Sequence, residues 1–260
     1  MKNKIVLGLL FIIFLSTFLC CEKETINKSN SYYLTDSTKD IVKKDTSKIK
    51  KRKPPLGKII ESLPTEEKVI ALTFDACEYK KPSYFDYTIL NFIIKEKIPV
   101  TIFVSGRFAL RNKDELSKIS KYEFIEIENH SLSHFNHSEL LNESDFVNEV
   151  KENENIIKEI TGKKTKYFRF PGGNYDNKSL NILKSLNYPV IHWSFVSGDF
   201  SKKITPRKLY ERVIKNVKSG SILIFHINGR GYSTGEALPL IYNFLKENNF
   251  KFVKLEDIFE

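Results

Sequence analysis

The sequence predicts an α/β fold, a parallel sheet with helical crossovers. Two observations carry this. From about residue 58, apolar runs of strand length alternate with amphipathic stretches of helix length, the pattern of a parallel sheet whose strands are joined by helices. The residues able to do chemistry also fall where these strands end, which is where barrels and doubly wound sheets both collect functional groups. The pattern does not by itself separate a closed barrel from an open sheet.

The elements follow in order. Val69-Ile-Ala-Leu-Thr-Phe74 is a buried strand, and Tyr84 to Lys97 is a helix with Tyr87, Leu90 and Ile94 on one face. Pro99 to Val104 is a second strand, Arg107 to Ser120 a second helix and Phe124 to Ile127 a third strand. Ser144 to Ile160 is a long helix, with Ser144-Asp-Phe-Val as its start signal. Tyr167 to Phe170, Tyr188 to Trp193, Ser221 to His226 and Phe252 to Leu255 complete the strands, with helices at 177–186, 206–218 and 235–248.

Composition bounds the reading. Of 260 residues, 41% are hydrophobic and 13% aromatic, enough for a sizeable core and too much for disorder along the whole chain. The net charge of +10 is concentrated at one end: residues 1–57 hold twelve Lys or Arg against five Asp or Glu. This stretch lacks apolar periodicity and interleaved stacking aromatics, so it excludes a folded nucleic-acid-binding face. Attraction to anionic lipid or wall polymer is the better use of it.

The first residues predict export. Lys2 and Lys4 precede the uncharged apolar stretch Ile5 to Leu19, short for a membrane span and suited to a signal-peptide core. Phe18-Leu19-Cys20-Cys21 resembles a bacterial lipoprotein signal, which makes Cys21 the expected lipid anchor. The expected organisation is a signal peptide at 1–20, a flexible basic linker at 21–57 and a catalytic domain at 58–260, tethered to the membrane outside the cytoplasm. With Cys21 acylated and Cys20 removed, Cys77 is the one remaining thiol, so no internal disulfide forms.

Asp75, His130, Arg169, Asp199 and His226 each sit at or shortly after the end of a predicted strand. Any one of them is weak evidence; five in the same relative place are not. His130-Ser-Leu-Ser-His134 spaces two imidazoles at i and i+4, so a helical turn there would aim both at one metal ion. Other hydrolase signatures are missing: there is no HExxH, no G-x-S-x-G and no phosphate-binding G-x-x-x-x-G-K. Gly229 to Gly235 reads as a mobile loop beside the site.

Taken together, Thr73-Phe-Asp75, His130-Ser-Leu-Ser-His134, Arg169-Phe-Pro-Gly-Gly173, Asp199 and Ile224-Phe-His226 resemble the ordered motifs of the polysaccharide deacetylases. This is the NodB-homology group, carbohydrate esterase family 4, and the resemblance covers about residues 66–259. It implies a distorted (β/α) barrel of about seven parallel strands. It implies a metal-dependent hydrolase that removes N-acetyl groups from amino sugars of peptidoglycan or a related surface polysaccharide, acting as a monomer. The implied cofactor is a divalent metal, zinc or else cobalt, with His130 and His134 as ligands. By the same resemblance Asp75 is the general base, Arg169 its orienting partner, His226 the general acid and Asp199 the partner of His226. Pro171, Gly172 and Tyr175 then line the substrate groove.

The chain departs from the family pattern in ways that bear on chemistry. The family's second Asp after Thr-Phe, its third metal ligand, is Ala76 here. Either Asp75 itself, Glu78 or His137 fills the place, or the metal is bound weakly, or the site is degenerate; Cys77 reads most simply as a small residue packed near the site, with a ligand role as the lesser alternative. Phe200 stands where the family often has Trp, and Val196 where its Asp-x-x-Asp motif begins. Ala76 also motivates a different class of function, a catalytically silent glycan-binding lipoprotein on the same fold. A deacylase of a non-sugar substrate differs only in what it cleaves.

Overall fold

A computed structural model describes residues 50–135 and 142–260. The signal peptide, most of the linker, Cys21 and His137 lie outside the described residues.

Seven strands alternate with helices in chain order. They are β1 (Ile59–Ile60), β2 (Val69–Ala76), α1 (Tyr87–Glu96), β3 (Val100–Val104), α2 (Gly106–Arg111), α3 (Lys113–Ile119), β4 (Ile125–Asn129) and α4 (Glu143–Thr161). After them come α5 (Asn177–Ser185), β5 (Val190–Ile191), α6 (Pro206–Asn216), β6 (Ile222–His226), α7 (Thr234–Glu247), β7 (Lys251–Val253) and α8 (Leu255–Ile258). The main sheet runs β4-β3-β2-β6, with β7 also pairing with β2, and β1 pairs with β5. Every pairing between named strands is parallel. Single bridges extend the sheet at both edges: Asn129 to Phe168 to Val190 on one side, Phe195 to Leu223 on the other. The sheet therefore curls toward closure through isolated bridges, and regular ladders do not complete a ring among the described residues.

Strand alternation sorts side chains into two environments. On β2, Ile70, Leu72, Phe74 and Ala76 enter a large apolar cluster with Ile89 and Ile93 of α1 and Leu238 and Ile241 of α7. Val69 and Ala71 face the other way, into a smaller cluster with Ile222, Val253, Leu255 and Phe259. Thr73 and Asp75 continue this second face toward the carboxyl end of the strand. The same period holds on β3, where Val100, Ile102 and Val104 meet the helices while Thr101 and Phe103 do not. One face is thus an apolar seat for helices; the other grades from an apolar plug into a polar site.

Helix starts explain several boundaries. Asp86 caps α1 by accepting from the Thr88 N–H at 2.9 Å, so the helix begins at Tyr87 rather than Tyr84. The single helix expected over 107–120 is two, broken at Asn112, whose side-chain amide donates to the Phe108 and Ser83 carbonyls. α4 is capped by Asn142, not by the Ser144 motif. Tyr167 to Phe170 is not a regular strand; it joins the sheet through isolated bridges at Phe168. The folded part also reaches back before residue 58: the Arg52 N–H bonds to the Ile258 carbonyl at 2.9 Å, and Arg52 bridges to Phe259.

Candidate active site

β2 and β6 are adjacent and in parallel register, with Asp75 opposite His226 and Asp75 opposite Phe103 on β3. Paired positions on neighbouring strands point to the same face, so these three side chains share one surface. Arg169 completes it. Its guanidinium lies 4.0 Å from the Phe103 ring centroid, and its Nη1 donates to Asp75 Oδ1 at 2.9 Å. Its remaining donors reach the carbonyls of His192 at 3.0 Å and Ile191 at 3.4 Å. Arg169 is fully buried, and only this set of acceptors and an aromatic face make such a burial tolerable. Burial raises the Asp75 pKa, but the Arg169 guanidinium, which also hydrogen-bonds it, and the nearby His226 outweigh this and hold the carboxyl below its ordinary value.

His226 ends β6 with its Nδ1 2.9 Å from Asp199 Oδ1, and its backbone N–H donates to Asp199 Oδ2 at 2.6 Å. Asp199 is itself buried and accepts from the Thr234 hydroxyl at 3.0 Å and the Ser197 hydroxyl at 3.3 Å. Burial disfavours the His226 imidazolium, yet the Asp199 hydrogen bond and charge prevail, and its pKa is raised. The Gly229–Gly235 stretch, expected to be mobile, is tied to this pair: the Tyr232 N–H donates to the Asp199 carbonyl at 3.1 Å. A Cβ on Gly231 would lie 2.4 Å from the His226 carbonyl oxygen.

The two imidazoles of His130 and His134 converge, though not by the expected route. The segment is no helical turn; Ser131 and His134 adopt left-handed backbone at φ 66° and 53°, and the Ser131 hydroxyl accepts the His134 N–H at 3.1 Å. The ring centroids are 5.1 Å apart. His130 is fully buried, and its Nδ1 lies 2.9 Å from the Arg169 carbonyl. That carbonyl can only accept, so Nδ1 carries the proton and Nε2 presents a lone pair. Nε2 is buried without a hydrogen-bond partner, 3.6 Å from Asp75 Oδ2. Burial keeps both rings neutral, and with the neighbouring His130 it pushes His134 down to about 3. An unpartnered, neutral, buried imidazole nitrogen is the state a metal ligand requires.

Among the described residues, Cys77 Sγ and one nitrogen each of His130 and His134 lie within 4.8 Å of one another. Glu78, an expected replacement for the ligand missing at Ala76, is not in this group. Its carboxylate is held by Arg111 Nε, by Arg111 Nη2 at 2.8 Å and by the Ser83 N–H at 3.2 Å. Cys77 is buried, and burial together with the charge of Asp75 pushes its thiol up to about 12. Cys77 directly follows the end of β2, and its character as a small apolar-like residue made a ligand role the lesser reading.

The remaining expected residues sit along the rim. Pro171 is buried at the start of a single 3₁₀ turn; Gly172 is exposed with φ 62°, and Tyr175 is exposed. The Gly173 N–H is committed to the Phe170 carbonyl at 3.0 Å. Two groups not singled out from sequence join the rim, His192 and Trp193, stacked at 3.8 Å between centroids. Phe200 is exposed on the other side, 6.2 Å from the His226 ring.

The chain is similar to known proteins in sequence and in fold. The family model described as polysaccharide deacetylase matches residues 62–191. A peptidoglycan-N-acetylglucosamine deacetylase of Bacillus cereus is 30% identical over 216 residues, covering 81% of this chain and 97% of that protein. The crystal structure of a peptidoglycan N-acetylglucosamine deacetylase in complex with 4-naphthalen-1-yl-N-oxidanyl-benzamide superposes with a TM-score of 0.70 at 25% identity, covering 77% of this chain and 92% of that one. A family 4 pseudoenzyme of Bacillus anthracis shares the fold at a TM-score of 0.69 and 23% identity, over 78% of this chain and 69% of that one. Fold alone thus does not decide activity, and the side chains of the site must. By the matched model and by the identity and coverage of its Bacillus cereus relative, the chain belongs to the polysaccharide deacetylase family, hydrolases of carbon–nitrogen bonds other than peptide bonds.

Proposed function

We propose that the protein is a metal-dependent N-deacetylase of peptidoglycan or a closely related N-acetylated surface polysaccharide. The observation that carries this reading is the pairing of two flanking groups, each with its own buried partner: Asp75 with Arg169, and His226 with Asp199.

His130 and His134 would hold the divalent ion, with zinc favoured by nitrogen donors of this kind. When bound, such an ion supplies Lewis acidity, lowering the pKa of a water toward ~7 and polarising the acetamide carbonyl. Asp75 Oδ2, free of Arg169, takes the proton from the attacking water, and Arg169 keeps that carboxylate ionised and aimed. The water oxygen adds to the carbonyl carbon. His226, held as imidazolium by Asp199, gives the proton from its Nε2 to the sugar nitrogen as the carbon–nitrogen bond breaks. The products are acetate and a free amine. The Gly172 N–H would face the developing oxyanion, a contribution of ~3 kcal/mol for one such donor. Tyr175, Trp193 and Phe200 offer aromatic faces along the rim for sugar rings.

A silent glycan-binding role fits less well. Binding needs no buried acid–base set, and holding Arg169 and Asp199 without solvent costs stability that only chemistry rewards. The two readings separate on acetate release: the metal-loaded full chain frees acetate from N-acetylated glycan and loses this with a chelator, whereas a binding protein frees none.

The apolar Ile5–Leu19 stretch, followed by Cys20 and Cys21, supports export and acylation at Cys21. Labelled fatty acid should enter the wild-type chain in cells and not Cys21→Ala.

A further inference from the structure

We infer that Cys77 is the third protein ligand of the metal site, a thiolate standing in for the carboxylate that the family places at the position of Ala76. This rests on the reading of His130 and His134 as a metal site and goes beyond it.

Several observations converge. Ala76 belongs to the apolar cluster beneath the helices, and its methyl group offers no donor to a metal ion. Cys77 is the first residue past the end of β2 and is buried. Its sulfur and the two imidazoles lie within 4.8 Å of one another. That is close to twice a metal–ligand bond of ~2.0–2.3 Å, so small side-chain rotations bring all three onto one ion. His130 Nε2, fully buried, has no other partner to satisfy it. The sulfur also has the surroundings of a ligating thiolate: buried Asn228 donates its amide N–H to Sγ at 3.2 Å and to the Cys77 carbonyl at 2.6 Å. Outer donors of this kind orient a ligand and stabilise its charge.

Glu78 is locked to Arg111, and Asp75, with one oxygen held by Arg169, keeps the other for the proton transfer proposed above. A Cys-His-His set leaves one tetrahedral position open for water or the substrate, the form of a catalytic zinc site. It also changes which ions suit the site. A soft thiolate favours zinc or cobalt over magnesium or calcium, which prefer oxygen. On metal binding the thiol loses its proton, as coordinating thiols do.

The test uses the full chain with Cys20 and Cys21 both changed to Ser, so that Cys77 is the sole sulfur donor, loaded with cobalt(II). The expected spectrum has a near-ultraviolet thiolate-to-cobalt charge-transfer band. Cys77→Ala in the same background should lose that band but keep weak visible cobalt bands from the imidazoles. Its zinc affinity, read by chelator competition, should fall by more than the ~10–100-fold that loss of an outer-shell partner costs. Cobalt bound without the charge-transfer band would overturn the assignment of Cys77 while leaving the metal site intact; this holds even if Cys77→Ala does not fold. No cobalt bound at all would overturn both readings. A band and an affinity unchanged in folded Cys77→Ala would also reject Cys77.

Discussion

Asp75 and His226 are register partners on adjacent parallel strands, and each is held by a buried counter-charge at 2.9 Å, Arg169 for the first and Asp199 for the second. The two elements that supply these counter-charges are different loops. The pair therefore has opposite environments on one surface: a carboxylate biased toward its ionised form and an imidazole biased toward its protonated form. Separated acid–base assignments of this kind are how one site does both proton transfers near neutral pH.

The pH dependence should report His226. An acid must be protonated to act, and its pKa is raised by Asp199, so activity should fall on the alkaline side as pH climbs through that value. Asp199→Asn removes the charge that outweighs burial. The alkaline limb of kcat/KM should then move to lower pH, with the maximum rate reduced by ~10²-fold or more. A limb that stays in place in Asp199→Asn would mean that another group titrates there.

Arg169 should be a stability residue as well as a positioning one. Arg169→Ala would strand Asp75 as a buried, unpaired charge, and breaking such a pair typically costs ~3–5 kcal/mol. Adding Asp75→Asn removes the stranded charge and should recover part of the loss. Urea unfolding of both single variants and the double variant gives the coupling energy, and strict additivity would contradict the pairing.

Much of this site was legible before any coordinates. Apolar runs ending in Asp75 and His226 announced two strands, and burial of both faces of β2 made its run continuous. What hid was of two kinds. Convergence of His130 and His134 depends on left-handed backbone at Ser131 and His134, a conformation that Ser does not advertise and that His adopts only in a minority of cases. The strand expected at 167–170 is reduced to isolated bridges at Phe168, with backbone hydrogen bonds joining Tyr167 and Arg169 to Asn129. Cys77 ranked as a packed small residue ahead of a ligand because a lone buried cysteine is ordinarily a small hydrophobe, and only its closeness to the two imidazoles favours the other reading.

Gly173 tests the rim. Its φ is +74°, and a Cβ there would lie 2.5 Å from the Trp193 ring and 2.8 Å from His192 Nε2. Gly173→Ala should destabilise by ~1–3 kcal/mol through backbone strain and displace the His192–Trp193 stack. KM for a glycan oligomer should rise more than kcat falls. Unchanged thermal stability and unchanged KM would show that the rim gives way at no cost.

A second titrating pair lies away from the chemistry. Glu126 and Glu128 are buried on β4; burial pushes Glu126 up to about 7, and burial together with the Glu126 charge raises Glu128. A carboxyl raised in the folded state binds more protons there than in the unfolded chain, so its stabilising contribution is full below its ordinary 4.5 and is lost as pH rises toward 7. Glu126→Gln should flatten the fall of melting temperature across that interval. An unaltered slope would place the ionisation elsewhere.

The most direct measurement of the central claim is acetate release alongside glycan binding for the metal-saturated wild type, Asp75→Asn and His226→Ala. The account predicts turnover in the wild type, a drop of ~10²–10⁴-fold in each variant, and binding of N-acetylated peptidoglycan retained in all three. Equal acetate release from wild type and variants, or none from the metal-saturated wild type, would contradict it.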